Sequence, residues 1–306
     1  MADDERVRQV SRTLYFTAFA GAGRVIDAWV MDRIAPHLDE RDAPAGTVLF
    51  REGELPTHVF FMQNGRVSLS RQGADPLEMR GKWLIGGIEC AIEMPRTRTA
   101  TVLDATHFVT VPAAVWHDIF EDSFEITRTA FFGTLRGISA LFERLIEKPL
   151  VVPRQELSFD LPRGKLDLVE RLLALSGARM FSRAGMQTLT DLAEDAEENW
   201  FDDETGLTSN VDPRGHLVLE GEILAQHATR GTTLHFLPGA ATPPGLANWR
   251  MLTKGRTRTL SFSPEKLVDE MEEHTDLVRS VLWAVWEQRE WALAHVPSTD
   301  GVIALG

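Results

Sequence analysis

Cysteine is almost absent from this chain of 306 residues. Cys90 stands alone, so no intramolecular disulfide can form, and there is no CxxC pair to build a thiolate zinc site or a redox motif. Long hydrophobic runs are missing too. The longest apolar stretch, around Val278 to Trp286, falls short of the roughly 18 residues a spanning helix needs, and no membrane insertion is expected. The opening MADDERVRQV has neither the basic start nor the apolar core of a signal peptide, so a soluble cytoplasmic protein is expected. Positive charge is in deficit: 32 Lys and Arg face 45 Asp and Glu, leaving −13. Such a surface repels phosphate backbones unless a basic patch is set aside, which argues against direct contact with nucleic acid. The motifs of common catalysts are lacking as well. There is no GxSxG elbow, HExxH or His–Cys cluster, and Gly21-Ala22-Gly23 follows no strand, so it fails the context of a dinucleotide fingerprint. His216, His227 and His235 fall in one strand region and read as surface residues, not as a metal trio. The expectation is a protein that is not an enzyme and has no metal site.

What is present is a globular composition, 43% hydrophobic and 25% charged, with enough length for two domains. Ile26, Val30, Ile34 and Leu38 recur four apart and predict a first helix, broken at Pro44-Ala45-Gly46. Short strands follow at Val48–Phe50 and Val59–Met62. Asn64-Gly65 then reads as a two-residue hairpin turn leading into Val67, Leu69 and Arg71. Gly81, Gly86 and Gly87 punctuate a loop region, and Thr99 to Val111 supplies two more strands. A helical region runs from Pro112 to about Leu145. The first half therefore reads as helix, about eight short strands, helix. Pro149, Pro153 and Pro162-Arg163-Gly164 mark a boundary, giving domains 1–150 and 151–306.

The second half repeats this order. Leu166, Val169, Leu172 and Leu173 form one amphipathic stretch, and Met186, Leu189, Ala193 and Ala196 another. Leu217 to Leu224 matches the pattern of Phe60 to Leu69, with turn glycines at Gly221 and Gly65. Leu267, Met271 and Leu277 follow Trp116, Phe120 and Ile126 at a constant spacing of 151. Two segments recurring in the same order point to an internal duplication. Ala184 to Pro213 holds no lysine or arginine and carries Asp191, Glu194, Asp195, Glu197, Glu198, Asp202, Asp203 and Glu204. A solvated helix face, a docking surface for a basic partner and a loose divalent-cation site remain open for this stretch. Trp283, Trp286 and Trp291 crowd the last helix, as a dimer contact or as core.

Residues Gly46 to Glu54, then Val59-Phe60-Phe61-Met62-Gln63-Asn64-Gly65-Arg66-Val67, Ile85-Gly86-Gly87 and Arg98-Thr99-Ala100-Thr101-Val102 together resemble the cyclic-nucleotide-binding domain. That is the module of cyclic-AMP receptor transcription factors and kinase regulatory subunits. The resemblance covers about Arg12 to Ile146 and implies an α+β fold: two tandem β-barrel (jelly-roll) domains flanked by helices, the second degenerate. It implies a cyclic-AMP or cyclic-GMP phosphate held at a short helix N-terminus by backbone N–H groups and one arginine. Carried over, the ligand-binding residues are Gly86, Gly87, Glu89, Arg98 and Thr99. Two departures stand out. Gly87 occupies the place of the family's ribose glutamate, with Glu89 two residues later, and Pro95-Arg96-Thr97 is an extra insertion. Losing such a charged hydrogen bond costs about 1.5–3 kcal/mol. In a closed-pocket alternative, Arg98 pairs with Glu89 or Glu93.

Between Pro238-Gly239 and Trp249 the second half is too short for a cassette helix, and Asn248 stands near the arginine slot. No basic recognition helix follows Trp291. The expected function is therefore a non-catalytic regulatory or adaptor protein with weak or lost nucleotide binding, acting on a protein partner or as a homodimer. The alternative is a structural scaffold with vestigial pockets.

Overall fold

The computed structural model describes residues 32–144, 160–207, 215–227, 233–235, 249–296, 298 and 301–305. The expected boundary near residue 150, Gly21–Gly23 and the shortened segment 238–248 lie outside these. Two compact units emerge: residues 1–134 with 294–306, and residues 135–293.

In chain order the first elements are β1 (Asp39–Ala43), β2 (Val48–Phe50), β3 (His58–Met62), β4 (Arg66–Arg71), β5 (Ala74–Arg80) and β6 (Trp83–Ile85). Then come α1 (Gly87–Ala91), β7 (Thr99–Val102), β8 (Thr106–Pro112), α2 (Ala113–Asp122) and α3 (Phe124–Arg144). They are followed by α4 (Leu168–Gly177), α5 (Met186–Asp195), β9 (Glu197–Phe201), β10 (Gly206–Leu207), β11 (Gly215–His227), β12 (Thr233–His235) and β13 (Trp249–Phe262). The last are α6 (Pro264–Glu273), α7 (Thr275–His295) and β14 (Ile303–Leu305).

The first unit holds two sheets, ordered β1-β8-β3-β6 and β14-β5-β4-β7-β2. Apart from the β4–β5 hairpin, successive strands from β1 to β8 switch between the sheets as in a jelly roll, an arrangement that leaves few long edges. All pairs are antiparallel except the added β14, which runs parallel to β5 with Ile303 opposite Leu77. Strand β3 is buried on both faces, which explains its unbroken apolar run. Phe60 lies 5.9 Å from both Phe50 and Phe108 inside the sandwich, while Phe61 meets Trp116 of α2 edge-on at 5.8 Å. Strand β1 escaped the sequence reading because Asp39, Glu40, Arg41 and Asp42 are all exposed and carry no apolar alternation. The first helical pattern is cut short: helix gives way to a 3-10 turn at Ala35–His37, which carries Pro36, and Leu38 is already extended.

Asn64-Gly65 is not a hairpin turn. Strand β3 pairs with β6 and β8, whereas β4 pairs with β5 and β7, so the turn carries the chain from one sheet to the other. Gly65 takes φ 83°, and a methyl group there would overlap the Thr106 hydroxyl. Gly221 is likewise not a turn: β11 runs through it as one strand with register shifts around Glu220, and Gly221 sits there at φ 77°. A Cβ there would lie 2.7 Å from Arg256 O and Thr257 Cα. A bulge bends a strand without ending it. The region of Gly81, Gly86 and Gly87 is also more ordered than expected, since it contains β6 and α1.

In the second unit β13 pairs with β9, β10 and β11, and β12 extends the sheet beyond β11. Arg258 is fully buried in it. Its Nε donates to Glu198 Oε1 at 2.8 Å, Nη1 to Pro162 O and Nη2 to Gly164 O, both at 2.6 Å, and its guanidinium stacks on Trp200. Helix α4 starts at Asp167, which exchanges capping bonds with Glu170. Its buried side runs through Ala174 and Leu175, whereas Val169 and Leu173 of the expected apolar face are exposed. In α5, Leu189 and Ala193 are buried as expected and Met186 is exposed. Trp283 lies beneath the Arg183 guanidinium, 3.6 Å from its ring centroid.

The closing helices of the units correspond in length. Helices α2 and α6 each have 10 residues and begin 151 positions apart; α3 and α7 each have 21, at the same spacing. Thr106 and Thr257, the threonines that face Gly65 and Gly221, are separated by the same 151.

Candidate functional site

The cassette region is built on β6, α1 and the loop into β7. Gly86 caps α1 with φ 76°. Beside it stands not Arg98 but Arg96, from the inserted Pro95-Arg96-Thr97. Arg96 is 2% exposed. Its Nη1 donates to Gly86 O at 2.9 Å and its Nη2 to His58 O at 2.5 Å, and its guanidinium lies 4.1 Å from the centroid of the Phe50 ring. Its backbone is pinned as well: Arg96 N donates to Glu54 O and Gly53 N donates to Arg96 O. A Cβ at Gly86 would overlap this guanidinium, with Cζ only 2.8 Å away. Nε is the one Arg96 nitrogen in the cradle left without a partner.

Glu89 is turned inward and 5% exposed. It accepts from Thr97 Oγ1 at 3.1 Å, and its Oε2 lies 3.8 Å from Arg96 Nη1. The cation nearest Glu89 is thus Arg96, where the sequence put Arg98. Arg98, 3% exposed, instead donates to Leu69 O at 3.3 Å and Asp75 O at 3.5 Å, tying β7 to β4 and β5. Thr99 Oγ1 accepts from Glu52 N at 3.0 Å. Gly87 packs on Leu84, whose Cδ2 would stand 2.8 Å from an added Cβ. The five expected residues therefore divide: Gly86, Gly87 and Glu89 gather with Arg96 on α1, while Arg98 and Thr99 bond to backbone groups of the neighbouring strands and loop.

Cys90, next to Glu89, is buried, and burial pushes its thiol up to about 12 despite Arg96 nearby, so it stays protonated and unreactive.

Two residues that sequence reasoning missed join the cassette to the helix after the barrel. Trp116 Nε1 donates to Gly87 O at 2.9 Å, and His117 Nδ1 lies 2.8 Å from Ala91 O. Both ends of α1 are thereby held by α2. The signal for Trp116 was the indole itself, which when buried finds an acceptor for its N–H. For Arg96 it was the insertion, read only as extra length.

Chemically, this arrangement is a desolvated anion-type cradle whose cation already serves the protein's own carbonyls and Glu89.

No curated protein matches the chain. Among solved structures, the regulatory domain of Toxoplasma gondii PKA with cAMP is 14% identical, covers 92% of this chain and 97% of its own, and has a TM-score of 0.34. The regulatory subunit of a cAMP-independent protein kinase A from Trypanosoma cruzi, bound to guanosine, is 10% identical with 94% and 92% coverage and a TM-score of 0.34. A cyclic nucleotide-binding protein from Geobacter metallireducens is 16% identical, covers 44% of this chain and 93% of its own, and has a TM-score of 0.35. Among the described residues no helix is long and apolar enough to cross a membrane. Residues 40–123 match the family model of the cyclic nucleotide-binding domain.

Proposed function

We propose that this chain is a non-catalytic, cytoplasmic regulatory or adaptor protein whose first unit is a cyclic-nucleotide sensor fold with weak or lost nucleotide binding. The observation that carries this reading is Arg96. Its guanidinium is buried beside the start of α1 and is already bonded to the Gly86 and His58 carbonyls. An incoming anion must displace those bonds and expose Glu89. If a cyclic AMP or cyclic GMP ligand enters, Arg98 leaves the Leu69 and Asp75 carbonyls to hold its phosphate with Gly86 and Thr99, and Glu89 meets the ribose. The output is the position of α2, coupled to α1 through Trp116 and His117 and passed to a protein partner or a second copy. No nucleic acid is engaged.

The second unit is, on this reading, a diverged copy of the first. The common spacing of 151 in two helices and in the glycine-facing threonines supports it.

Titration calorimetry with cyclic AMP and cyclic GMP tests the proposal. Weak binding or none is expected. Tight binding that Arg98→Ala leaves intact overturns the site assignment. The same Arg96 contacts favour a second reading, a scaffold with a vestigial pocket. A thermal-shift screen separates the two, because a scaffold shows no shift with any anionic nucleotide.

A further inference from the structure

Outside the cassette, one cluster in the second unit brings metal-ligating groups together. Asp191 projects from the second half of α5, Glu270 from the last turn of α6, and His274 is the residue that closes α6. One donor atom from each lies within 4.8 Å of the others. We propose that Asp191, Glu270 and His274 bind a divalent transition-metal ion of the Zn2+ type, which clamps α5 to α6.

The distances fit a bound ion and are long for direct hydrogen bonds. His274 Nε2 stands 3.5 Å from Asp191 Oδ2 and 3.6 Å from Glu270 Oε2. These separations exceed the usual N–H···O range of about 2.7–3.2 Å. They match the ligand-to-ligand edge of a tetrahedron, about 3.4 Å for metal–ligand bonds of about 2.1 Å. The carboxylate of Asp191 is also oriented from outside the cluster: Gln187 Nε2, one turn earlier on α5, donates to Oδ1 at 2.9 Å and leaves Oδ2 turned to the imidazole. Such outer contacts hold metal ligands in register. The His274 backbone is held between helices, its N–H donating to Glu270 O and its carbonyl accepting from Leu277 N.

The donor set selects the metal. An imidazole nitrogen with two carboxylates suits Zn2+ and its first-row neighbours, whereas Mg2+ and Ca2+ take oxygen ligands. The side chains are 14–33% exposed, half-buried enough to fix the ligands and open enough for an ion to enter.

The test is calorimetry of the tag-free full chain, stripped with chelator, titrated with ZnCl2 and separately with MgCl2 near neutral pH. One saturable equivalent of Zn2+ is expected, with no Mg2+ binding at matched concentration. His274→Ala and Asp191→Asn lose that equivalent, and Gln187→Ala weakens it about tenfold. Far-UV circular dichroism accompanies each variant. Should His274→Ala misfold, Glu270→Gln carries the same expectation on a folded chain. A wild-type chain that takes up no Zn2+, or folded ligand variants that titrate like it, overturns the proposal and leaves the triad as an ion-pair network only.

Discussion

At the residue scale, Arg96 and Arg98 stand two positions apart, both buried, yet they serve different structures. Arg96 holds the start of α1, and Arg98 bridges strands. A motif alignment keyed to Arg-Thr-Ala selects Arg98; only three-dimensional reach selects Arg96. His58 shows how this region responds to pH. Burial first, then Arg41, holds its imidazole below the usual value of 6.5, with Asp39 opposing. Its Nε2 lies 3.3 Å from Arg41 Nη2, a contact that suits the neutral ring. The unfolded chain then binds the proton more readily than the folded one. Stability should fall as pH drops below about 6.5 toward the lower folded value. His58→Asn should flatten that slope in urea unfolding measured between pH 7.5 and 5; an unchanged slope counts against it. Arg258 is the residue-scale anchor of the second unit. Removing it strands Glu198, whose side chain is 2% exposed. Arg258→Ala should cost about 3–5 kcal/mol, read as a lower denaturation midpoint, and free the segment Pro162–Gly164 to proteolysis.

At the scale of elements, the sheet-crossing turn at Gly65 and the link between α1 and α2 carry the most weight. Gly65→Ala adds a methyl group at positive φ against Thr106 and should destabilise by about 1–3 kcal/mol, visible as a shift in thermal midpoint. Trp116→Phe keeps the ring contact with Phe61 but deletes the bond to Gly87 O. About 1 kcal/mol should be lost, and amide exchange in α1 should accelerate while β3 stays protected. Equal acceleration throughout the barrel would mean that Trp116 acts by packing alone. The elements differ in how legible they were. The helical region of α2 and α3, strands β3 and β4, and Leu189 and Ala193 of α5 were plain from spacing, because buried apolar residues recur there at regular intervals or in an unbroken run. Strand β1 and helix α1 were not. The first is an exposed, charged edge; the second is five residues long, too short for helical period to register.

On the scale of the molecule, the jelly-roll order of the first unit and the family match over 40–123 agree with the resemblance read from Gly46 to Val102. The added strand β14 was not foreseen. Three residues carry no usable period, and pairing with β5 sets Ile303 opposite Leu77, 226 positions earlier in the chain. Ile303 is 2% exposed there. Ile303→Ala should cost about 2–4 kcal/mol, measurable as an earlier urea transition, and it uncovers the β5 edge to association. An unchanged transition would mean that the strand adds nothing to the first unit.

The amino-acid sequence alone determined the class of the protein: acidic, without disulfides, rich in short strands, with helices after each strand region. Composition and local period are additive over neighbouring residues, so they survive without knowledge of the fold. Tertiary structure decided what depends on distant partners. Sheet membership turned Asn64-Gly65 from a hairpin into a crossing, and register turned Gly221 into a bulge. Burial set Arg96 against Gly86 in place of Arg98, and helix packing brought Asp191 to Glu270 and His274. Each of these rests on contacts between residues far apart in the chain, whose geometry no local pattern encodes.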